Sequence, residues 1–240
     1  MPGGSRDGAV RELKPGLLML DKTWGCNVYL LNDEDHPLLV DGGFPVDAGR
    51  VACLISRAVG TPTAVATHYH LDHEGSFARL KCHFPGRVAA HKDDADFMEG
   101  NTVYEVYKVD RFRTAYYKVL GPWLFPFEPV HVDIRLEDRQ LISGVRVIHV
   151  PGHTPGSIMM LDERSGILFT GDSIRNEGGG LDGPPAQFSS EIEETYWHIR
   201  EKVLDLEFDS LLPGHGEPLM RGAKKEVARM MWRQGRCLTR

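Results

Sequence analysis

The sequence predicts an α/β protein whose mixed β-sheets carry helices on their outer faces. Two observations point there. Short apolar runs alternate with amphipathic segments in the order strands, helix, strand, helix, insertion, strands, helix, strand, helix, which suits mixed sheets better than a pure parallel repeat. Glycine (26) and proline (15) are also frequent enough to end many short elements in tight turns.

Taken in order, 16–20 and 27–31 read as strands joined by a glycine-containing turn. The run PLLVD at 37–41 stops at Gly42-Gly43, the form of a buried strand ending in a tight loop. Over 46–59, Val51, Leu54, Ile55, Ala58 and Val59 fall on one helical face, and Gly60 marks the stop. A strand is expected at 64–67, a helix at 76–82 and a strand at 87–90. Strands are then expected at 140–142, 145–150, 157–161 and 167–170, before a long loop through Gly178–Gly180 and Pro184-Pro185. Ser190 with Glu193 has the spacing of a capping box, opening a helix to about Leu206. A last strand at 208–212 precedes PGHGEP, and a final helix spans 223–233.

The 240 residues suffice to bury a core without disulfides, and the expectation is one domain over 1–240 with an insertion at about 93–130. With 41% hydrophobic and 26% charged residues, the composition is that of an ordinary globular domain. No window approaches the roughly 18 apolar residues of a membrane span, and the first residues lack an apolar signal core. A net charge of −6 argues against general affinity for nucleic acid. Cys26, Cys53, Cys82 and Cys237 form no CxxC pair, which fits reduced thiols and a cytoplasmic location.

Of the eleven histidines, His68, His70 and His73 fall within six residues, with Asp72 among them. In an extended segment, residues two apart project to the same side, so His68 and His70 can grip one ion. Two imidazoles leave a metal short of its usual three protein ligands. His153 (VPGHTPG), Asp172 (LFTGDS) and His215 (LLPGHGE) each follow an expected strand beside glycine or proline, where a scaffold places functional groups. The set suffices for two cations, one held by His68, His70 and His153, the other by Asp72, His73 and His215, with Asp172 bridging. Ligation by nitrogen and oxygen alone suits zinc, manganese or iron. His36, His83, His91, His131, His149 and His198 stand alone in the sequence and read as surface or core histidines.

THYHLDH at 67–73, PGHT at 151–154, FTGD at 169–172 and PGHG at 213–216 resemble the metallo-β-lactamase superfamily, and Asp41 in LLVDGG matches its early aspartate. The resemblance implies an αββα four-layer sandwich with metals at one edge. It also implies that the seven residues named above are ligands of two divalent cations, zinc foremost, and that Asp41 supports them by hydrogen bonds. The activity implied is hydrolysis of a small ester-like substrate (thioester, lactone, carboxylic ester or phosphoester) by a bridging hydroxide, with Asp72 orienting the nucleophile or passing a proton. Lactamases of the superfamily lack the bridging aspartate, so Asp172 turns the reading from β-lactams toward thioesterase, lactonase and phosphodiesterase relatives. His70 argues against the flavodiiron branch, and the chain length against the nucleases. A mononuclear iron persulfide dioxygenase shares these motifs and stands as the alternative.

The insertion carries nine aromatic residues. Tyr104, Tyr107, Phe112, Tyr116 and Trp123 are its candidate substrate contacts if it forms a lid. The plainer reading is a helical pair that packs on itself or joins two copies into a homodimer. Basic residues crowd 221–240, a pattern most simply explained as a solvated helix face. The expected partner is a small-molecule substrate, with neither membrane nor nucleic acid.

Overall fold

The computed structural model describes residues 10–20, 22–34, 36–82, 84–102 and 127–235. Seven strands form a first sheet in sequence order: β1 (Val10–Lys14), β2 (Leu17–Leu20), β3 (Val28–Leu31), β4 (Leu38–Val40), β5 (Thr63–Val65), β6 (Val88–His91) and β7 (Ile134–Leu136). The first four pair antiparallel, while β4 to β7 pair parallel. The second sheet holds β8 (Leu141–Ile142), β9 (Val145–His149), β10 (Ile158–Asp162), β11 (Ile167–Gly171) and β14 (Ser210–Pro213), in the order β14-β11-β10-β9-β8. Only β11 with β14 is parallel. A separate hairpin joins β12 (Arg175–Glu177) to β13 (Gly180–Asp182).

Helices α1 (Ala48–Ile55), α2 (Leu71–Glu74), α3 (Phe77–Lys81) and α4 (Lys92–Met98) come from the first half, and α5 (Ile192–His198) and α6 (Ala223–Arg233) from the second. The layers follow from strand periodicity, since alternate residues face opposite sides of a sheet. In β3, Val28 and Leu30 join Leu54 of α1, Phe77 of α3 and Ala95 of α4 in one cluster. Tyr29 and Leu31 face the other way and meet Val147, Met160 and Phe169 of the second sheet. In β10, Ile158 and Met160 face that shared layer, whereas Met159 and Leu161 pack with Ile199, Val227 and Met231. Three apolar layers between helices, sheet, sheet and helices make the four-layer sandwich expected.

The segments at 64–67, 145–150 and 167–170 are strands within a residue or two, and α6 has the expected bounds. Several elements differ. The glycine run at 178–180 is no loop but the turn and edge of the β12–β13 hairpin. β1 and β7 lie where no element was expected, while α4 opens the insertion for which a helical pair was the plainer reading. The anticipated 190–206 helix is α5 followed by a π-helical turn at Ile199–Val203, and its N-cap is Glu191 without a side-chain bond. Ser190, expected at the cap, stands one residue before it, and its Oγ donates to the Gly152 carbonyl at 3.0 Å, which ties α5 to the loop carrying His153. No helix among the described residues is long and apolar enough to cross a membrane.

Candidate metal centre

All seven histidines and aspartates singled out as ligands gather at one edge of the two sheets, on loops leaving β5, β9, β11 and β14. After β5 the chain stays extended through His70 (φ −65°, ψ 139°) and turns at once into α2, which presents Asp72 and His73 one turn away from His68 and His70. His153 follows β9, Asp172 follows β11 and His215 follows β14. The loops can come this close because glycine stands at the crossings. A Cβ at Gly214 would lie 2.6 Å from His73 Cε1 and 2.8 Å from Asp172 Oδ1.

His68 Nε2 lies 3.0 Å from His70 Nδ1 and 3.1 Å from His153 Nε2. Hydrogen bonds at the far side of two rings assign their protons. Ser189 Oγ gives its own proton to the Pro185 carbonyl, so it accepts from His153 Nδ1 at 3.0 Å. Thr67 Oγ1 donates to Asp41 Oδ2 at 3.0 Å, so it accepts from His68 Nδ1 at 3.1 Å. Both Nε2 atoms therefore present lone pairs to each other across 3.1 Å, an arrangement without a proton that a cation between them would relieve. Burial above all pushes the His68, His70 and His153 pKa values down, to about 4 for His70, which keeps the rings in the neutral, ligating form.

The second group adjoins the first, with the His68 and His73 ring centroids 4.0 Å apart. His73 Nδ1 donates to Asp41 Oδ2 at 3.0 Å, and its Nε2 lies 3.3 Å from both His215 Nε2 and Asp172 Oδ1. Asp72 Oδ2 sits 3.2 Å from His215 Nε2. Asp172 spans the groups: Oδ2 is 3.6 Å from His153 Nε2, while Oδ1 points at His73 and His215 and makes no hydrogen bond. Burial would lower the His73 pKa, but Cys26, Asp41, Asp172 and Asp72 outweigh it and hold it well above the ordinary value. Burial would likewise raise the Asp72 carboxyl, yet His73 and His215 bring it to about 2. A site with this field favours a positive charge, and the donor set fits a pair of divalent cations.

Asp41 was legible in the sequence, and its carboxylate does meet His73 and Thr67. Its φ of +60° is one that side chains rarely adopt, held here by these bonds. Ser189 and the buried Asp94 under the loops had no signal, because their partners are remote in sequence, whereas Thr67 opens the THYHLDH motif itself. Asp47, also buried, accepts from the backbone of Trp24, Gly25 and Phe44 and so anchors a loop whose Cys26 N–H bonds the Asp72 carbonyl. Trp24 stands 77% exposed on that loop. Tyr104, Tyr107, Phe112, Tyr116 and Trp123 lie outside the described residues.

The model of the metallo-β-lactamase superfamily matches residues 21–215. The chain belongs to that superfamily. Among relatives, it is 28% identical over 218 residues to the probable metallo-hydrolase YflN of Bacillus subtilis, covering 81% of each chain. It is 31% identical to the acyl-coenzyme A thioesterase MBLAC2 of Bos taurus (79% of this chain, 72% of the relative). It is 27% identical to the hydroxyacylglutathione hydrolase GloC of Haemophilus influenzae (81% and 86%). A metallo-β-lactamase family protein of Thermus thermophilus, TTHA1429, shares the fold with a TM-score of 0.67 at 20% identity, covering 93% of this chain and 81% of that one. TTHA1623, solved in a di-iron-bound form, matches with a TM-score of 0.63 at 23% identity (87% and 92%). With this family and these relatives, the superfamily member is a hydrolase, and its histidine clusters are of the metal-binding kind.

Proposed function

We propose that this chain hydrolyses a thioester, using two divalent cations. The opposed lone pairs of His68 and His153 beside the spanning carboxylate of Asp172 carry the reading, because they leave room for charge on both sides of one aspartate. His68, His70 and His153 would hold one cation; His73, Asp72 and His215 the other; Asp172 both. The di-iron form of the similar TTHA1623 agrees with two ions, and the thioesterase among the relatives supports the substrate class. Zinc, iron and manganese all suit the donor set.

When bound, such a pair supplies Lewis acidity and acidifies water toward neutral pH. The rest is the work of side chains. Asp41 and Thr67 fix the ring planes of His73 and His68, so that the inward nitrogens are presented without reorganisation. The triad is almost wholly buried, which excludes bulk water from that side. Asp72 and His215 keep 29% and 25% side-chain exposure and line the open side, where substrate enters. Asp72 is therefore the group placed to take a proton from the attacking water at its carboxylate.

The test is elemental analysis with a panel of acyl-thioester, lactone, phosphodiester and β-lactam substrates. Two equivalents of metal with anaerobic thioester cleavage are expected. One equivalent of iron, with oxygen consumed and a persulfide substrate oxidised, would overturn the reading.

A further inference from the structure

Asp94 lies on α4, outside every motif of the metal centre, and is completely buried. Its carboxylate joins two loops that come from different sheets. Oδ2 accepts from the Tyr69 N–H at 3.0 Å and from Thr154 Oγ1 at 2.7 Å, and Oδ1 accepts from the Gly156 N–H at 2.6 Å. Tyr69 separates His68 from His70, and Thr154 follows His153. The approach is so close that a Cβ on Gly156 would sit 2.5 Å from Asp94 Cγ. Thr154 is fixed in turn, its N–H donating to Ser157 Oγ at 2.9 Å. Among the described residues no ion pair is formed by Asp94, so these three donors are what compensate its burial.

We propose that Asp94 is a positioning residue, a strut that sets the spacing of the two loops so that His68, His70 and His153 can share one cation. The proposal rests on the reading of that triad as a metal site. The physical requirement is tight: metal–imidazole distances tolerate about 0.2 Å, while each loop alone is a flexible connection. His68 and His70 arrive from the first sheet and His153 from the second, and Asp94 is hydrogen-bonded to the neighbours of all three. Residues supporting metal ligands from behind change affinity by about 10–100-fold when removed.

The experiment uses the full chain, stripped of metal and titrated with Co²⁺, reading the two affinities from visible absorption and the occupancy by elemental analysis. Asp94→Ala is expected to weaken the triad cation by about 10–100-fold while the second cation changes by less than about threefold. Asp94→Asn, which presents an amide where one loop needs an acceptor, falls between. Thr154→Val removes a single donor and covers the case in which Asp94→Ala does not fold; a loss of about two- to fivefold at the triad alone is expected there. Equal weakening of both cations with a lowered unfolding temperature marks a merely structural residue and overturns the proposal, as does unchanged affinity. His153→Ala separates this from the reading beneath it. If that variant still binds two ions, the triad is not a metal site; if it loses one while the Asp94 and Thr154 variants lose nothing, only the strut is wrong.

Discussion

Histidines gather in two places in this molecule, and the rings meet differently in each. At the candidate metal centre the His68, His70 and His153 rings stand edge to face, at interplanar angles of 76° to 89°, so their nitrogens converge. Behind it, His91 at the end of β6 and His149 at the end of β9 lie flat on each other, centroids 3.8 Å apart and planes 15° apart, with His198 of α5 6.4 Å beyond. Stacked rings hold their lone pairs parallel, and those nitrogens are partly committed: His149 Nε2 donates to the Pro155 carbonyl at 2.8 Å, and His91 Nδ1 accepts from Asp93 N–H. Asp93 Oδ2 lies 3.5 Å from His91, and one donor atom each of His91, Asp93 and His149 falls within 4.8 Å of the others, but the Pro155 carbonyl and the Asp93 N–H already occupy two of the ring nitrogens. Burial first, and His149 second, push the His91 pKa down to about 4, so this ring packs as a neutral aromatic. Angle, more than the number of imidazoles in contact, separates a ligand set from a packing set.

The largest expected effect breaks the convergent set. His68→Ala should abolish binding of one cation and lower turnover by more than about 100-fold, beyond what supporting residues cost; metal content and kcat check it together. An intermediate effect comes from Glu74, one residue beyond His73, fully buried with both carboxylate oxygens lacking a hydrogen bond. Burial alone raises its pKa well above the usual carboxylate value. A raised folded pKa gives stability that is complete below the unfolded value near 4.5 and is lost as pH climbs toward the folded one. Glu74→Met should therefore stabilise the metal-free protein by about 1–3 kcal/mol at pH 8 and by clearly less at pH 4.5. Urea unfolding of both proteins at the two pH values gives the difference, and a gain independent of pH would refute the assignment. The smallest effect belongs to the stacked set. His91→Phe should keep both cations and turnover while costing about 1 kcal/mol of stability, since it preserves the aromatic contact and removes only a long hydrogen bond; loss of a cation here would make the two gatherings alike.

The ligand set could be read in advance because its members are clustered or follow strands beside glycine, features that local sequence displays. β3 and β10 were readable for the same reason, as continuous apolar runs buried on both faces, and β9 by its apolar Val145, Val147 and Ile148 despite the half-buried Arg146 and His149. β1 escaped notice because Arg11, Glu12 and Lys14 break the apolar pattern on a partly exposed edge. The β12–β13 hairpin was hidden behind glycines that elsewhere mark loops. Asp94 and Ser189 were invisible for a different reason: what makes them matter is a partner 62 or 36 residues away. The stacked His91 and His149 likewise meet only once the two sheets have docked.

That docking gives the split origin of the site a further meaning. Four of its donors ride on one sheet and three on the other, so neither half of the chain owns a complete set. A slip of an ångström between the layers would leave both halves folded and the chemistry gone. The reaction centre thus doubles as a gauge of assembly, able to work only in molecules whose two halves have met in the correct alignment.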